Sequence, residues 1–230
     1  MVFGGIQKLT LLDYPDKTAC TLFVVGCNYD CPFCYNTSLI RPCAGTATFS
    51  VSEVIEFLRP KQGLLDGVCI SGGEPLIHDG LGGFIDVVKA MGFLVKLDTN
   101  GSFPDRLKKL VASGRVDYVA MDIKNTPTKY AQTIGLPEYD VSQVEESMAH
   151  LRLGLIPYEL RTTVVRQLHT TDDLLSVARW IKGTANYYLQ GYTDFGEATQ
   201  SGLSGYSKKE MEALLIKIKE ILPTAKLRGG

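Results

Sequence analysis

The chain is poor in several residue types, and each shortage removes a class of function. Its 230 residues include one tryptophan and three histidines, His78, His150 and His169. These histidines have no metal-ligand spacing, which argues against a histidine-built zinc centre. His150 reads as surface or core edge; His78 and His169 fall in loops and stay weak site candidates. Basic and acidic residues nearly cancel, 24 against 25, whereas generic nucleic-acid or membrane-surface binders carry a basic excess. No apolar run approaches the ~18 residues of a membrane span. Nothing at the N-terminus has the charged-then-apolar form of a secretory signal. The expectation is a cytoplasmic protein with neither nucleic acid nor membrane as partner. No repeat, linker or low-complexity tract is visible, and 45% hydrophobic with 21% charged residues is ordinary globular composition. One domain over residues 1–230 is expected.

What the chain does have is cysteine in one place. Cys27, Cys31 and Cys34 lie within eight residues of one another. In a reducing compartment, clustered cysteines point to metal or catalysis rather than disulfides. A zinc knuckle, a disulfide knot and chance clustering are the plain alternatives; zinc usually needs a second Cys or His pair at matching distance, and none follows. Thiolates are the preferred ligands of iron–sulfur clusters, and a cubane cluster ordinarily takes four. Three on one loop leave one iron free, and an incompletely ligated metal is where a substrate binds. Cys20, Cys43 and Cys69 read as small buried residues, with Cys43 near enough in sequence to act as a fourth ligand. Trp180 and the terminal Arg228-Gly229-Gly230 read as packing and a frayed end.

The cysteine loop follows Thr21–Val25, an apolar β-prone run of the kind buried parallel strands show. Before it, residues 1–18 read as an extended segment and a turn at Pro15-Asp16. From Ser50 onward, helical stripes and strands alternate. Strands are expected at 68–70, 93–97, 118–121, 159–165 and 187–190, with a last extended piece at 225–227. Helices carry capping pairs Ser50/Glu53, Asp140/Gln143 and Ser207/Glu210, and stops at Gly92 and Gly114. Six strand–helix units predict a parallel sheet with helices outside. Strands run directly into Gly26, Ser71, Asp98, Asp122 and Gln190, and in β/α barrels catalytic groups occupy those ends.

Strand parity sharpens the expectation. Side chains two apart share a face, so Lys96 joins Asp98, Asp122 joins Lys124, Arg161 joins Thr163 and Gln190 joins Tyr192. The opposite face carries Val95, Leu97, Val119, Met121 and Ile123, which suits packing under helices. The polar face then points inward, and unpaired charge there is too costly for a closed, packed barrel. The fold class expected is α/β: an incomplete (β/α)6 barrel of parallel strands, open and holding a charged ligand.

Each polar strand end also has an ordinary explanation. Ser71-Gly72-Gly73-Glu74-Pro75 is either a tight turn or a place where backbone approaches a ligand closely. Asp98-Thr99-Asn100-Gly101 fits an Asx-type turn. Asp122 and Lys124 fit an inward ion pair, and Arg161 fits a salt bridge to Asp122 or Glu159.

Cys27-x-x-x-Cys31-x-Phe33-Cys34 resembles the signature of radical S-adenosylmethionine (SAM) enzymes, and Gly72-Gly73-Glu74 resembles their Gly-Gly-Glu motif. The resemblance extends over nearly the whole chain. The stretches Gly4-Gly5-x-Gln7-Lys8-Leu9 to Asp13-Tyr14-Pro15, Val95 to Gly101, Tyr118 to Asn125 and Tyr187 to Gln190 look like the anaerobic ribonucleoside-triphosphate reductase activating proteins. It implies a six-unit partial barrel in which Cys27, Cys31 and Cys34 are catalytic and hold a [4Fe–4S] cluster. It also implies SAM contacts from Phe33, Ser71, Gly72, Gly73, Glu74, Asp98, Thr99, Asn100, Asp122, Lys124, Arg161 and Gln190. Some family members add a monovalent cation near the residue matching Asp98. The implied activity is one-electron cleavage of SAM, with the electron from a flavodoxin or ferredoxin, and abstraction of a Cα hydrogen from a glycine of a partner glycyl radical enzyme. Tyr35 and Gln190 stand where related activases have histidines, and Gln190 weighs against a pyruvate formate-lyase activase. That activase type, a radical SAM enzyme acting on a small molecule, and a cluster protein with Cys43 as fourth ligand are the alternatives. Cys43→Ser is expected to leave cluster and cleavage intact.

Overall fold

The structure is a computed structural model describing residues 1–34, 36–40, 47–194, 196 and 198–228. Tyr35 and Cys43 lie outside the described residues. Eight strands form one sheet whose spatial order follows the sequence: β1 Phe3–Thr10, β2 Ala19–Val24, β3 Gly67–Gly72, β4 Leu94–Thr99, β5 Tyr118–Asp122, β6 Tyr158–Val164, β7 Tyr187–Gly191 and β8 Ala225–Arg228. β1 pairs antiparallel with β2, and every later pair is parallel. Between them run α1 Thr37–Ile40, α2 Val51–Leu58, α3 Leu81–Ala90, α4 Pro104–Ala112, α5 Tyr130–Thr133, α6 Ser142–Leu151, α7 Thr171–Trp180 and α8 Lys208–Lys219.

The six strand–helix units hold, and the extended pieces expected at either end become the edge strands β1 and β8. Parallel neighbours need a crossover, and here helices supply it. Capping boxes start α2 at Ser50/Glu53, α7 at Thr170/Asp173 and α8 at Ser207/Glu210. The cap expected for α6 from Asp140 and Gln143 is not formed. Its N-cap is Val141 with no side-chain bond, because Asp140 is engaged one turn early by the Ser142 amide, 3.0 Å, and hydroxyl, 2.8 Å.

Strand parity divides the sheet as the sequence indicated. Val68, Ile70, Val95, Leu97, Val119, Met121, Leu160 and Leu189 are fully buried in the main apolar core. Residues of β1 to β7 on the other face, from Gln7 and Thr21 to Arg161 and Gln190, line a single cavity, so the sheet curls around it. Deeper within the same interior, Tyr14, Ala19 and Cys69 form a small second core, with the Tyr14 and Tyr118 rings 6.0 Å apart. Tyr192 is expected to share the inward face with Gln190. It lies beyond the end of β7, is buried, and meets the Phe33 ring edge-on at 6.5 Å.

Candidate active site

The cysteine loop leaves β2 and is held by contacts to four other segments. The Gly26 amide donates to Leu39 O at 2.7 Å and the Asp30 amide to Ile134 O at 2.9 Å. Asn28 accepts from Asn100 Nδ2 at 2.9 Å and donates to Ser102 Oγ at 2.9 Å, tying the loop to the end of β4. From the β7–α8 connection, the Gln200 amide and Thr199 Oγ1 both donate to Pro32 O, at 3.1 and 3.0 Å. Cys27, Cys31 and Cys34 are free thiols, and all three line a cavity of about 370 Å³.

The glycines after β3 bring two loops together. A Cβ on Gly72, which has φ +113°, would strike the Val24 backbone at 2.4 Å; one on Gly73 would meet Gly26 O at 1.8 Å. The Gly73 and Glu74 amides then donate to Val24 O and Gly26 O at 3.0 and 2.8 Å. Close approach was expected here, but the group approached is the chain's own backbone just before Cys27. Both glycines still line the cavity.

The far wall is ionic. Arg161 on β6 bridges two carboxylates, Nη1 to Asp98 at 3.2 Å and Nε to Asp122 at 2.9 Å. Lys96 pairs with Asp98, which also accepts from Ser71 Oγ at 3.1 Å; Lys124 Nζ reaches Asp122 at 2.9 Å. Three cations thus face two carboxylates. Burial alone would raise both carboxyls. Arg161 and Lys124 overcome it at Asp122, holding it down at about 2, and Arg161 and Lys96 hold Asp98 below its ordinary value. Burial drives the thiols the other way, Cys27 to about 11 and Cys31 to about 12, with Cys34 also raised. Lys124 pulls against that rise at all three, and the Tyr29 amide, 3.4 Å from Cys27 Sγ, does so at Cys27. Thiols of this kind release protons when metal binds. Lys124 also stands over the Phe33 ring at 5.8 Å, linking the cysteine loop to β5.

Three reduced thiols facing one cavity, with the cations Lys124 and Arg161 on its wall, suit an iron–sulfur cluster beside a ligand that carries a carboxylate. The family model described as the Radical SAM superfamily matches residues 21–189. This chain belongs to the radical SAM superfamily.

A Methanocaldococcus jannaschii protein with the provisional name glycyl-radical enzyme activating enzyme is 30% identical over 195 residues, covering 82% of this chain and 79% of that one. The anaerobic ribonucleoside-triphosphate reductase-activating protein of Escherichia coli is 41% identical over a 61-residue stretch, 26% of this chain and 40% of the other. The crystal structure of Streptococcus suis SuiB bound to S-adenosylmethionine superposes with a TM-score of 0.69 at 11% identity, covering 90% of this chain and 48% of that one. As a radical SAM enzyme, the chain uses a [4Fe–4S] cluster and SAM.

Of the residues expected at the radical SAM site, all but one line the cavity: Cys27, Cys31, Phe33, Cys34, Ser71, Gly72, Gly73, Asp98, Thr99, Asn100, Asp122, Lys124, Arg161 and Gln190. The exception is Glu74. Its fully buried carboxylate accepts from the Leu76 amide at 3.0 Å, Thr99 Oγ1 at 2.8 Å and the Asn100 amide at 2.6 Å. It therefore braces the end of β4 from behind the cavity. Burial raises it to about 7 against the pull of those donors. Near Asp98, the carboxylate pairs with Lys96 and Arg161.

Cavity residues missed from sequence are Gln7, Asp13, Thr21, Phe23, Tyr29, Asn36, Ile40 and Thr163. Thr163 shares a face with Arg161, so parity already carried that signal. Gln7 and Asp13 gave none, because β1 runs opposite to the other strands and its register with Thr21 is a long-range fact. Two of the weak histidine candidates are structural. His169 is buried, with Nδ1 at the Val165 amide and Nε2 2.7 Å from Lys124 O; His78 Nε2 lies 2.9 Å from Val25 O. Arg228 corrects the expectation of a frayed end, since it forms a two-pronged pair with the fully buried Glu159.

Proposed function

We propose that this radical SAM enzyme is an activating enzyme that generates a glycyl radical on a partner protein, and that the partner is an anaerobic ribonucleotide reductase. The observation that carries the reading is the joining of the three-thiol loop, the Gly72-Gly73 turn and the Asp98–Arg161–Asp122 wall around one cavity on an open sheet. The cavity is bounded near edge strand β1 by Gln7 and Asp13. The choice of partner is supported by the stretch shared with the reductase-activating protein.

Cys27, Cys31 and Cys34 hold the cluster. Ser71, Gly72, Gly73, Asp98, Thr99, Asn100, Asp122, Lys124, Arg161, Gln190 and Phe33, which line the cavity, would hold SAM. When bound, the cluster and SAM would supply one-electron cleavage chemistry and the capacity to abstract a hydrogen atom, with the electron from a flavodoxin or ferredoxin. The chain's own residues bind, orient and exclude water. The planar fork of Arg161, fixed by Asp98 and Asp122, presents its remaining donors to a carboxylate or a ribose. Lys124 Nζ, neutralised on one side by Asp122, keeps positive potential near the thiols.

The test pairs this protein, reconstituted with iron and sulfide, with the purified reductase, SAM and dithionite under anaerobic conditions. A glycyl doublet in the electron paramagnetic resonance spectrum of the reductase, growing with methionine release, is the expected result. If SAM is cleaved only when a small molecule is added and the reductase stays silent, the partner reading fails while the radical SAM assignment stands.

A further inference from the structure

Four aromatic rings run from the cysteine loop to the surface without a gap. Tyr29 sits between two of the loop cysteines, lines the cavity and is 2% exposed. Its hydroxyl donates to the Tyr139 hydroxyl at 2.6 Å, and the two rings meet edge-on at 5.4 Å. Tyr139 stacks on the fully buried Tyr130 at 5.6 Å and 17°. Tyr130 in turn meets Trp180 edge-on at 6.1 Å. Every step lies within the range of ordinary aromatic contact. Phenols and indoles ordinarily find hydrogen-bond partners; here the partners at both ends can also move a proton with an electron. At the inner end the two phenols share a hydrogen. At the outer end the Trp180 indole N–H donates to the Glu145 carboxylate at 2.8 Å. Trp180 and Tyr139 are both partly exposed.

We propose that Tyr29, Tyr139, Tyr130 and Trp180 form an escape chain that carries a misdirected radical from the cavity wall to the surface. The proposal rests on membership of the radical SAM superfamily and not on the choice of partner. A radical SAM site makes an alkyl radical able to take hydrogen from a phenol, whose O–H bond is the weaker. When no substrate is in place, that radical takes the hydrogen atom of Tyr29, leaving a closed-shell alkane and a tyrosyl radical. A hydrogen atom then crosses from the Tyr139 hydroxyl to Tyr29, restoring Tyr29 and leaving the radical on Tyr139. An electron passes from Trp180 through Tyr130 to Tyr139. Tyr139 takes a proton from water, and the indole proton goes to Glu145. A thiolate in solution returns the electron to Trp180, Glu145 returns the proton, and the thiolate leaves as a thiyl radical. The oxidising equivalent thus ends outside, away from Cys27, Cys31 and Cys34.

The chain has one tryptophan, so the outer end is addressed selectively. In the full-length protein without cluster, azide radicals produced by pulse radiolysis oxidise Trp180. The tryptophanyl and tyrosyl absorptions are expected to relax together at a rate independent of protein concentration, which reads the same path in reverse, and added thiolate is expected to drain both radicals through Trp180. Tyr130→Phe, which keeps the ring and its packing, slows that relaxation about tenfold or more. Equal rates in the wild type and Tyr130→Phe would overturn the proposal and leave the four rings as packing. A second arm uses the reconstituted enzyme with SAM and dithionite and no partner protein. Peptide mass spectrometry is expected to find oxidation concentrated at Trp180, and in Tyr139→Phe to find it moved to Tyr29 and the cysteine loop. The same oxidation pattern in both proteins is the contrary result.

Discussion

Two ionic clusters share the inside of this sheet, one at the cavity and one beneath it. In the cavity cluster, Arg161 lies between Asp98 and Asp122, with Lys96 and Lys124 at its flanks. In the lower cluster, the fully buried Glu159 receives both prongs of Arg228 and the Tyr118 hydroxyl at 3.0 Å, while Arg228 lies over the Tyr188 ring at 3.9 Å. The ingredients are alike and the settings differ. The lower cluster is saturated: acid, base and aromatic face are matched, and it ties the last strand to β6. The upper cluster has one more cation than carboxylate and faces open volume. Buried pairs are weak evidence for stability in themselves, because desolvation offsets much of the attraction. An unbalanced pair on a cavity wall is instead a feature that a ligand completes.

Removing one arginine from each cluster separates these roles most sharply. Arg228→Met leaves the buried Glu159 without a cation and is expected to cost about 3–5 kcal/mol in chemical denaturation, whereas Arg161→Met leaves Asp98 with Lys96 and Asp122 with Lys124 and should cost less. Only Arg161→Met should also weaken SAM binding, about tenfold or more by equilibrium dialysis of the reconstituted enzyme. Loss of SAM affinity in Arg228→Met as well would show that the lower cluster is part of the site. Gly73→Ala is next in size. The added methyl collides with Gly26 O, so the β2 end shifts, with a stability loss of about 1–3 kcal/mol and reduced iron uptake on reconstitution.

Acid separates the clusters less strongly. Asp122 is held at about 2 in the folded protein, below its ordinary value near 3.9 in an unfolded chain. Its stabilising contribution is complete above pH ~4 and is lost as pH falls toward ~2, about 2–3 kcal/mol in all. Thermal unfolding across that window should show a steep acid limb that Asp122→Asn flattens. Glu74 acts in the opposite direction. Its folded value of about 7 lies above the unfolded one, so the folded state holds a proton that the unfolded state has released. Stability should fall as pH rises from about 4.5 to 7, with the slope of one proton at most, and Glu74→Gln should remove that slope.

Most of the upper cluster was legible because its logic is local. A strand has period two, so Lys96 with Asp98 and Asp122 with Lys124 fall on one face by counting. The capping boxes at Ser50 and Ser207 are local too. The cysteine spacing needs nothing beyond eight residues of chain. What escaped depends on contacts between distant segments. Arg228 looked like a frayed end, since no local rule places it against Glu159, 69 positions away. Glu74 read as a ligand group; only the fold reveals that its oxygens also accept from the Leu76 and Asn100 amides. Gln7 and Asp13 reach the cavity because β1 turns back on β2, which a pattern of strand–helix units does not announce. The aromatic chain was invisible for the same reason, its four rings coming from the cysteine loop, the first residue of α5, the connection between α5 and α6, and the end of α7.

The central claim is that the three thiols at the mouth of the charged cavity hold the cluster at which SAM is cleaved. The measurement that tests it most directly is formation of 5′-deoxyadenosine by anaerobically reconstituted protein with dithionite and SAM. Wild-type protein and single Cys27→Ala, Cys31→Ala and Cys34→Ala variants are compared, each with its bound iron measured in parallel. The account predicts product from the wild type and none from any of the three variants, with cluster iron lost while the fold persists by circular dichroism. Turnover persisting in any one of them would contradict it.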